Sequence, residues 1–499
     1  MTIPSLRNLR PTTAPIALVS LTFVATGCGT ATPEEPQDLC LGSVPASSPS
    51  PEQAASPNVQ RLDGDEYADL VIAYPGQEGS VLVVPGGEDG PDSEGAQTVA
   101  PGENGIPDSP KDDARFGGDP RLGDFDGDGR TDIAVAGGPE SESDDAPGST
   151  VLAWGGEEGV KGGSVLQWTD GENPGVNAVG DFDGDGVSDM LVGAEWFGDP
   201  PQVLYGPFDR DGEPARTAAS GVALGDQETS FAVGDVDGDE CDDLLVFHAF
   251  EEMAYDTAVW AADGDGFTEA GSVAAADEGL VADVDGDGYG DVVVHETGAT
   301  VEEGPWTPGR VSVYPGGPDG PASEPQAELT LDSAGMSRTS EDGDHFGRVL
   351  AAGDVNADGY ADVAASVNRP VTGGTPVDEG DVVVLPGGPD GLTGEGACLL
   401  RPEDADRYPQ RSGPAPGDGY WDEYDETPRT LLRLLDTDGD GADDVAVGAP
   451  SADDAADGGA PGPVRVYRGL HEEDGALVPG SAQGVGLPHR GEGSRQFGM

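Results

Sequence analysis

A nine-residue acidic pattern recurs along this chain of 499 residues and constrains its fold more than any other feature. In the copy at 181–189, DFDGDGVSD, carboxylates stand at the first, third, fifth and ninth positions, and Gly186 permits a sharp reversal of the backbone. Ca2+ takes about six to eight oxygen ligands, more than one pair of side chains supplies. Alternate side chains of a tight loop can point to one centre, so the pattern predicts a calcium loop.

The pattern is not an EF-hand, because the twelfth position from Asp181 is Val192, where an EF-hand has Glu. A solvated acidic turn would explain a single copy equally well, since Asp and Gly are frequent in turns. Repetition favours the calcium loop. The seven copies, which we call loops 1 to 7, lie at 61–69, 124–132, 181–189, 235–243, 283–291, 354–362 and 436–444.

Short apolar runs flank each loop at fixed places and predict strands. Around loop 3 they read VNAVG before it, MLVGA after it and QVLYG beyond the next turn, and a weaker fourth run follows in most copies. Four short antiparallel strands repeated seven times predict an all-β fold, a seven-bladed β-propeller with calcium-binding loops. A solenoid is the competing architecture, but its repeats are usually only about 20 to 45 residues long.

The repeats resemble the FG-GAP, or VCBS-like, repeats of the integrin α-chain propeller and its bacterial relatives. Phe-Gly stands at Phe116-Gly117 and Phe346-Gly347, eight residues before the loop in both cases, and Gly-Ala-Pro stands at Gly448-Ala449-Pro450. The resemblance implies that each loop joins the first two strands of a blade. It also implies that positions one, three, five and nine bind Ca2+ through side chains and position seven through its carbonyl oxygen.

Carried onto this chain, the resemblance implies Ca2+ as cofactor at about six sites. The implied ligands are Asp124, Asp126, Asp128, Arg130 and Asp132 in loop 2; Asp181, Asp183, Asp185, Val187 and Asp189 in loop 3; Asp235, Asp237, Asp239, Cys241 and Asp243 in loop 4; Asp283, Asp285, Asp287, Tyr289 and Asp291 in loop 5; Asp354, Asn356, Asp358, Tyr360 and Asp362 in loop 6; and Asp436, Asp438, Asp440, Ala442 and Asp444 in loop 7. Loop 4 is expected to be strained or weaker, because Glu240 replaces the glycine. Loop 1 is expected to bind none, because Arg61 replaces the first Asp and Glu66 the glycine.

Composition limits the partners and the chemistry. Asp and Glu number 97 against 23 Lys and Arg, a formal net charge of -74, so nucleic acid and anionic membrane surfaces are repelled. The sequence contains no P-loop, GxSxG elbow, CxxC or HxxxH pair. In so acidic a chain, chance explains a glycosidase-like carboxylate pair. We therefore expect that the protein is not an enzyme.

The N-terminus resembles a bacterial lipoprotein signal. Arg7 and Arg10 precede an apolar run of about ten residues, shorter than the roughly twenty of a membrane-spanning helix, and ATG precedes Cys28. We expect a cell-envelope protein, lipid-anchored at Cys28 to a membrane and facing the periplasm or the cell surface; an ordinary cleaved secretion signal is the alternative. The expected organisation is a signal peptide at 1–27, a Pro/Ser/Ala-rich tether at 28–55, the propeller at 56–480 and a C-terminal tail at 481–499.

Two further expectations concern the cysteines and the chain end. An oxidising envelope would permit a Cys40–Cys398 bridge that pins the tether to the body, although sequence does not assign connectivity. Phe497-Gly498 repeats the Phe-Gly that the first repeat lacks. We therefore expect the C-terminus to dock beside the first blade, which would remove an exposed sheet edge.

The insertion at 407–429 gathers Tyr408, Tyr420, Trp421 and Tyr424, and the resemblance puts such loops on the face opposite the calcium loops. Exposed aromatics on loops are often binding anchors, and a cover for neighbouring sheet edges is the other interpretation. We expect a protein- or glycan-binding adhesion module. The alternatives are an extracytoplasmic hydrolase or lyase acting on polysaccharide, and a purely structural surface protein; the partner and the oligomeric state stay open.

Overall fold

A computed structural model describes residues 60–74, 79–107, 116–136, 150–167, 175–193, 201–222, 228–250, 253–296, 309–336, 338–340, 346–367, 381–401, 431–448, 464–473, 476–485 and 496–497. These residues all belong to one compact unit, Asp38–Met499. The elements assigned within these residues are all β-strands, and the same residues contain no helix long and apolar enough to cross a membrane. The expected signal peptide, tether, Cys28 and Cys40 lie outside the described residues, as do Tyr408, Tyr420, Trp421 and Tyr424.

The strands are short and follow the repeats. Up to loop 4 they are β1 (Leu70–Tyr74), β2 (Ser80–Val84), β3 (Gln97–Val99), β4 (Gly118–Gly123), β5 (Asp132–Ala136), β6 (Thr150–Ala153), β7 (Gly163–Val165), β8 (Val176–Gly180), β9 (Asp189–Val192), β10 (Gln202–Tyr205), β11 (Arg216–Ala219) and β12 (Glu228–Gly234). From loop 4 to loop 6 they are β13 (Asp243–Phe250), β14 (Met253–Ala254), β15 (Asp256–Ala262), β16 (Phe267–Ala282), β17 (Asp291–Glu296), β18 (Arg310–Tyr314), β19 (Ala327–Leu329) and β20 (Leu350–Gly353). The rest are β21 (Asp362–Val367), β22 (Asp381–Leu385), β23 (Cys398–Leu400), β24 (Leu431–Leu435), β25 (Asp444–Gly448), β26 (Val464–Arg468), β27 (His471–Glu473), β28 (Ala476–Val478), β29 (Ser481–Val485) and β30 (Gln496–Phe497).

Most strands form four-stranded antiparallel sheets, in which neighbours in sequence are neighbours in space except where β30 joins β1 and β29 joins β26. The orders are β4-β5-β6-β7, β11-β10-β9-β8, β20-β21-β22-β23, β24-β25-β26-β29 and β3-β2-β1-β30. The sheet that contains β12 to β19 is longer, because β16 serves two neighbours in turn. Its residues up to Ala275 pair with β15, and those from Ala276 pair with β17. The all-β, propeller-like fold class is confirmed.

The C-terminus completes the first sheet, as the Phe-Gly repeat led us to expect. Phe497 on β30 pairs with Ile72, and Gln496 pairs with Ala73. In addition, β29 pairs with β26, so the segment at 481–499 contains strands. The first strands of successive repeats contact each other from β4 through β8, β12, β16, β20 and β24, and β30 contacts both β24 and β4.

The core consists of apolar clusters between neighbouring sheets. One cluster joins Val71 of the first sheet to Ile133 of the second, and another joins Leu152 of the second to Met190 of the third. Residues of β9 are buried along its whole length, because both faces of this strand are covered. This explains its continuous apolar run, DMLV, in place of an alternating one. Each buried Val or Leu side chain contributes about 1.5 to 3 kcal/mol to stability.

Candidate metal centres in the repeat loops

Loops 2 to 7 connect the first strand of a repeat to its second strand. The ninth residue of each loop is the first residue of the second strand, and it pairs with the residue that precedes the loop. In loop 3, for example, Asp189 pairs with Gly180. The ladder of the sheet therefore fixes both ends of each loop.

The first carboxylate organises the loop backbone. In loop 2, Asp124 Oδ1 accepts hydrogen bonds from Gly127 N at 2.8 Å and Asp128 N at 3.1 Å, and Oδ2 accepts one from Gly129 N at 2.8 Å. Two or three bonds of this kind recur at Asp181, Asp235, Asp283, Asp354 and Asp436. The loop conformation thus depends on a first-position Asp, which loop 1 lacks.

The third and fifth side chains form tight turns with the backbone. In loop 5, Asp285 Oδ1 accepts a hydrogen bond from Asp287 N at 3.2 Å, and Asp287 Oδ1 accepts one from Tyr289 N at 3.1 Å. Corresponding bonds are made at the third position by Asp126, Asn356 and Asp438, and at the fifth by Asp128, Asp185, Asp239, Asp358 and Asp440. Because Oδ1 is used for the turn, the second oxygen of each carboxylate can serve another partner.

The ninth carboxylate joins the loop to the next hairpin of its own sheet. Asp132 is fully buried, and it accepts hydrogen bonds from Phe125 N at 3.0 Å and Gly155 N at 2.7 Å. Both bonds recur at Asp69, Asp189, Asp243, Asp291 and Asp362. Burial raises the pKa of Asp132, Asp189, Asp243 and Asp362 to about 8, and that of Asp69, Asp291 and Asp444 to about 7.

The carboxylates come close enough to share a cation. Oxygens of the first, third and ninth residues lie within 4.8 Å of one another in loops 2, 3 and 5, as do those of the first, third and fifth in loops 4 and 7. Within the described chain, Asp183 Oδ1 and Asp237 Oδ1 are buried and have no hydrogen-bond partner. Buried carboxylate oxygens that lack a donor are costly unless a cation satisfies them. The donor set, all oxygen, therefore fits Ca2+.

Two loop positions require a left-handed backbone. The fourth and sixth residues of loop 2, Gly127 and Gly129, have φ of 72° and 83°. A Cβ at Gly129 would meet nothing within 4 Å, so glycine is needed there for its conformation alone. A Cβ at Gly127 would lie 3.2 Å from Val187, the seventh residue of loop 3. Seventh residues likewise cover the fourth-position glycines of loops 1, 3, 4 and 7, with Arg130 on Gly64, Cys241 on Gly184, Tyr289 on Gly238 and Tyr67 on Gly439.

Loops 4 and 6 keep the fold with a residue other than glycine in the left-handed region. Glu240 has φ of 73° at the sixth position of loop 4, and its amide still donates to Asp235 Oδ2 at 3.1 Å. Ala357 has φ of 56° at the fourth position of loop 6. The strain expected for loop 4 is present at Glu240, since a left-handed L-residue costs roughly 1 to 2 kcal/mol.

The structure does not contain the suggested Cys40–Cys398 bridge, because Cys398 is not disulfide-bonded. Cys398 is a free, buried thiol, and burial raises its pKa to about 11. Cys241 is the disulfide-bonded cysteine, and its partner lies outside the described residues. The proposed bridge was wrong because Cys398 is a core residue of β23, packed among apolar side chains.

Backbone hydrogen bonds link consecutive loops. The carbonyl oxygen of the first residue in each loop accepts a bond from the amide of the eighth residue in the next. The donors and acceptors are Thr131 and Arg61, Ser188 and Asp124, Asp242 and Asp181, Gly290 and Asp235, Ala361 and Asp283, Asp443 and Asp354, and finally Ala68 and Asp436, at 2.7 to 3.1 Å. The last pair connects loop 7 back to loop 1. Each loop is therefore positioned by its neighbour as well as by its own sheet.

Arginines contact the third carboxylate of three loops. Arg210 pairs with Asp126 in loop 2, Arg216 with Asp183 in loop 3 at 2.8 Å, and Arg468 with Asp438 in loop 7 at 3.1 Å. Two of them also stack on aromatic rings, Arg210 over Trp154 and Arg216 over Tyr205. Sequence reasoning missed these arginines, because each lies 30 or more residues from its Asp in a hairpin.

A comparison with protein-family models agrees with the repeat over part of the chain. Residues 124–192, from the start of loop 2 to the end of β9, match the family described as FG-GAP-like repeat. No curated protein matches the sequence. One similar solved structure is a Bacteroides uniformis ATCC 8492 protein provisionally described as a 6-phosphogluconolactonase, with 11% identity, a TM-score of 0.38, and coverage of 86% of this chain and 99% of that chain. Another is rhamnogalacturonan lyase YesW, with 13% identity, a TM-score of 0.26, and coverage of 81% and 66%.

Proposed function

We propose that the chain forms a closed seven-bladed propeller whose loops 2 to 7 bind Ca2+. The observation that carries this proposal is the series of loop-to-loop hydrogen bonds, which returns from Asp436 O of loop 7 to Ala68 N of loop 1. An open repeat array contacts only its neighbours and leaves its two ends apart. The pairing of β30 with β1 supports closure independently, because it joins a strand near the C-terminus to the first sheet.

Calcium would act as a structural cross-link in each loop. The side chains at positions one, three, five and nine would hold the ion, with Asn356 as the neutral ligand in loop 6. Ca2+ supplies positive charge at the point where buried carboxylates converge, and binding requires these carboxylates to be deprotonated. Loop 1 would bind none, since Arg61 supplies no carboxylate and its side chain is exposed.

On this scaffold we propose a protein- or glycan-binding adhesion module of the cell envelope, lipid-anchored through Cys28. The carboxylate groups close enough to hold a metal in the described chain all lie in the repeat loops, where backbone amides organise them. This arrangement supports a structural use of the acidic residues rather than catalysis. Tyr408, Tyr420, Trp421 and Tyr424 are the proposed ligand contacts, since aromatic side chains dominate many binding hot spots.

The test is a binding screen of the full chain with calcium against immobilised envelope glycans and envelope proteins. Replacing the four aromatic residues by Ala should abolish binding to the identified ligand and leave the calcium content unchanged. A matched control is Tyr255→Ala, which removes an exposed aromatic side chain between β14 and β15. Retained binding by the fourfold variant would contradict the assignment of these contacts. Release of products from a polysaccharide by the purified protein would instead favour the hydrolase or lyase alternative.

A further inference from the structure

The third carboxylate of loop 3 is held differently from its neighbours. Asp181, Asp185 and Asp189 each accept hydrogen bonds from backbone amides of their own sheet. Asp183 has one oxygen, Oδ2, on Arg216 Nη2 at 2.8 Å, and the other, Oδ1, is buried without a hydrogen-bond partner in the described chain. An arginine from outside the loop therefore holds one of its two oxygens.

Arg216 is itself fixed by groups from two sheets. Its guanidinium carbon lies 3.4 Å from the centroid of the buried Tyr205 ring on β10. The same Nη2 donates to Gly264 O at 2.8 Å, and Nη1 lies 3.3 Å from Asp265 Oδ1, both in the turn between β15 and β16. A planar guanidinium can stack on a ring and donate from its edge at the same time, whereas an ammonium cannot.

We propose that Arg216 is a positioning residue for calcium in loop 3. Arg216 holds Asp183 so that the Oδ1 atom of Asp183 faces the ion. This inference rests on the proposed calcium binding. It also makes the site depend on the next repeat, because the Arg216 bridge ends on Gly264. Partners that orient a metal ligand typically change metal affinity by about 10- to 100-fold. Arg210 and Arg468 contact the corresponding Asp of loops 2 and 7, so an arginine on the third carboxylate recurs in two further loops.

The experiment compares Arg216→Ala and Arg216→Lys with wild type in calcium titrations against a competing chelator, with bound ions counted by native mass spectrometry. One site should weaken by about tenfold or more in both variants, and the remaining sites should be unchanged. Arg310→Ala is the matched control, because its side chain is 43% exposed against 38% for Arg216 and it pairs with Glu296 and Glu328, away from the loops. The melting temperature without metal should shift no more in Arg216→Ala than in this control.

A second comparison assigns the effect to loop 3. In a background that carries Asp181→Ala and Asp185→Ala, the loop 3 site is lost, and Arg216→Ala should then change nothing further. Unchanged or tighter calcium binding by Arg216→Ala would overturn the inference, because the arginine would then be inert or a competitor of the ion. Full affinity in Arg216→Lys would also overturn it, since charge alone would suffice. A wild-type chain that binds no calcium would instead overturn the proposed function on which the inference rests.

Discussion

Loop 1 and loop 2 share the hydrogen bonds made by their ninth residue and differ in those made by their first residue. The ninth residues, Asp69 and Asp132, are both buried, and each bridges the second amide of its loop to the amide of a glycine in the next hairpin. At the first position, Asp124 gathers the amides of the turn, whereas Arg61 is exposed and offers no acceptor for them.

This difference separates two roles that the pattern DxDxDGxxD combines. The ninth Asp recurs in loop 1, where the first carboxylate is missing, so it is a scaffold residue as well as a candidate ligand. The first Asp belongs to the candidate metal site, because it organises the loop around the place where the carboxylates converge.

Calcium removal should have the largest effect, and it should act on loops 2 to 7 only. A site that holds calcium at about 100 times its dissociation constant adds roughly 2.7 kcal/mol to the free energy of unfolding. Several such sites together compare with the whole net stability of a domain, about 5 to 15 kcal/mol. A chelator should therefore lower the melting temperature by many degrees. Calcium should restore it, and magnesium should do so poorly, because Mg2+ requires a tighter octahedral geometry. Identical melting with and without chelator would show that the loops are acidic turns.

The pH dependence of stability should be stronger in the metal-free protein than in the calcium-loaded protein. In the metal-free protein, burial raises the pKa of Asp132 to about 8 and of Asp69 to about 7, while an Asp in the unfolded chain titrates near 3.9. Between these limits the folded state binds more protons, so metal-free stability should rise as pH falls from 8 to 6, by at most about 1.4 kcal/mol per group and pH unit. In calcium-loaded protein the ion keeps its carboxylate ligands deprotonated, as they are in the unfolded chain over this range, so stability should change much less between pH 8 and 6. Urea unfolding of resin-decalcified and calcium-loaded protein at both pH values measures this, and an equal pH dependence in the two forms would contradict it.

How much of the fold and of the candidate sites could be predicted from the sequence depends on how far apart along the chain the contacting residues lie. The loops, the strands that flank them and the docking of the C-terminus beside the first sheet were predicted, because each depends on a local motif such as Phe497-Gly498. The scaffold role of Asp69 was also within reach, since the first copy keeps its ninth Asp while losing its first. The bridge from Arg216 to Asp183 was not, because it depends on how β11 and the turn at Gly264 meet in space.

Loop 1 should become a calcium site when its two departures are reversed. Arg61→Asp restores the first carboxylate, and Glu66→Gly restores the residue that can adopt the left-handed conformation. Asp63, Asp65 and Asp69 are already present, and the main-chain groups of residue 61 already bond to Thr131. The double variant should bind one additional equivalent of calcium, worth up to roughly 2.7 kcal/mol at about 100 times its dissociation constant. Arg61→Asp alone is the control that tests whether the carboxylate suffices, and an unchanged calcium count in the double variant would show that loop 1 differs in more than these residues.

The smallest expected effect comes from Glu240 in loop 4. Its φ of 73° is strained for a residue with a Cβ, and Glu240→Gly should relieve roughly 1 to 2 kcal/mol. Part of this gain is lost because glycine has more freedom in the unfolded chain, by about 0.4 to 1 kcal/mol, so the midpoints of the two ranges give a net stabilisation of about 0.8 kcal/mol. The reverse change in loop 2, Gly129→Ala, is the matched control: a Cβ there meets nothing within 4 Å, so it should cost stability through backbone strain alone. Chemical unfolding of both variants in calcium measures the pair. If Glu240→Gly is destabilising while Gly129→Ala behaves as expected, the Glu240 side chain makes a favourable contribution to loop 4 that exceeds its strain.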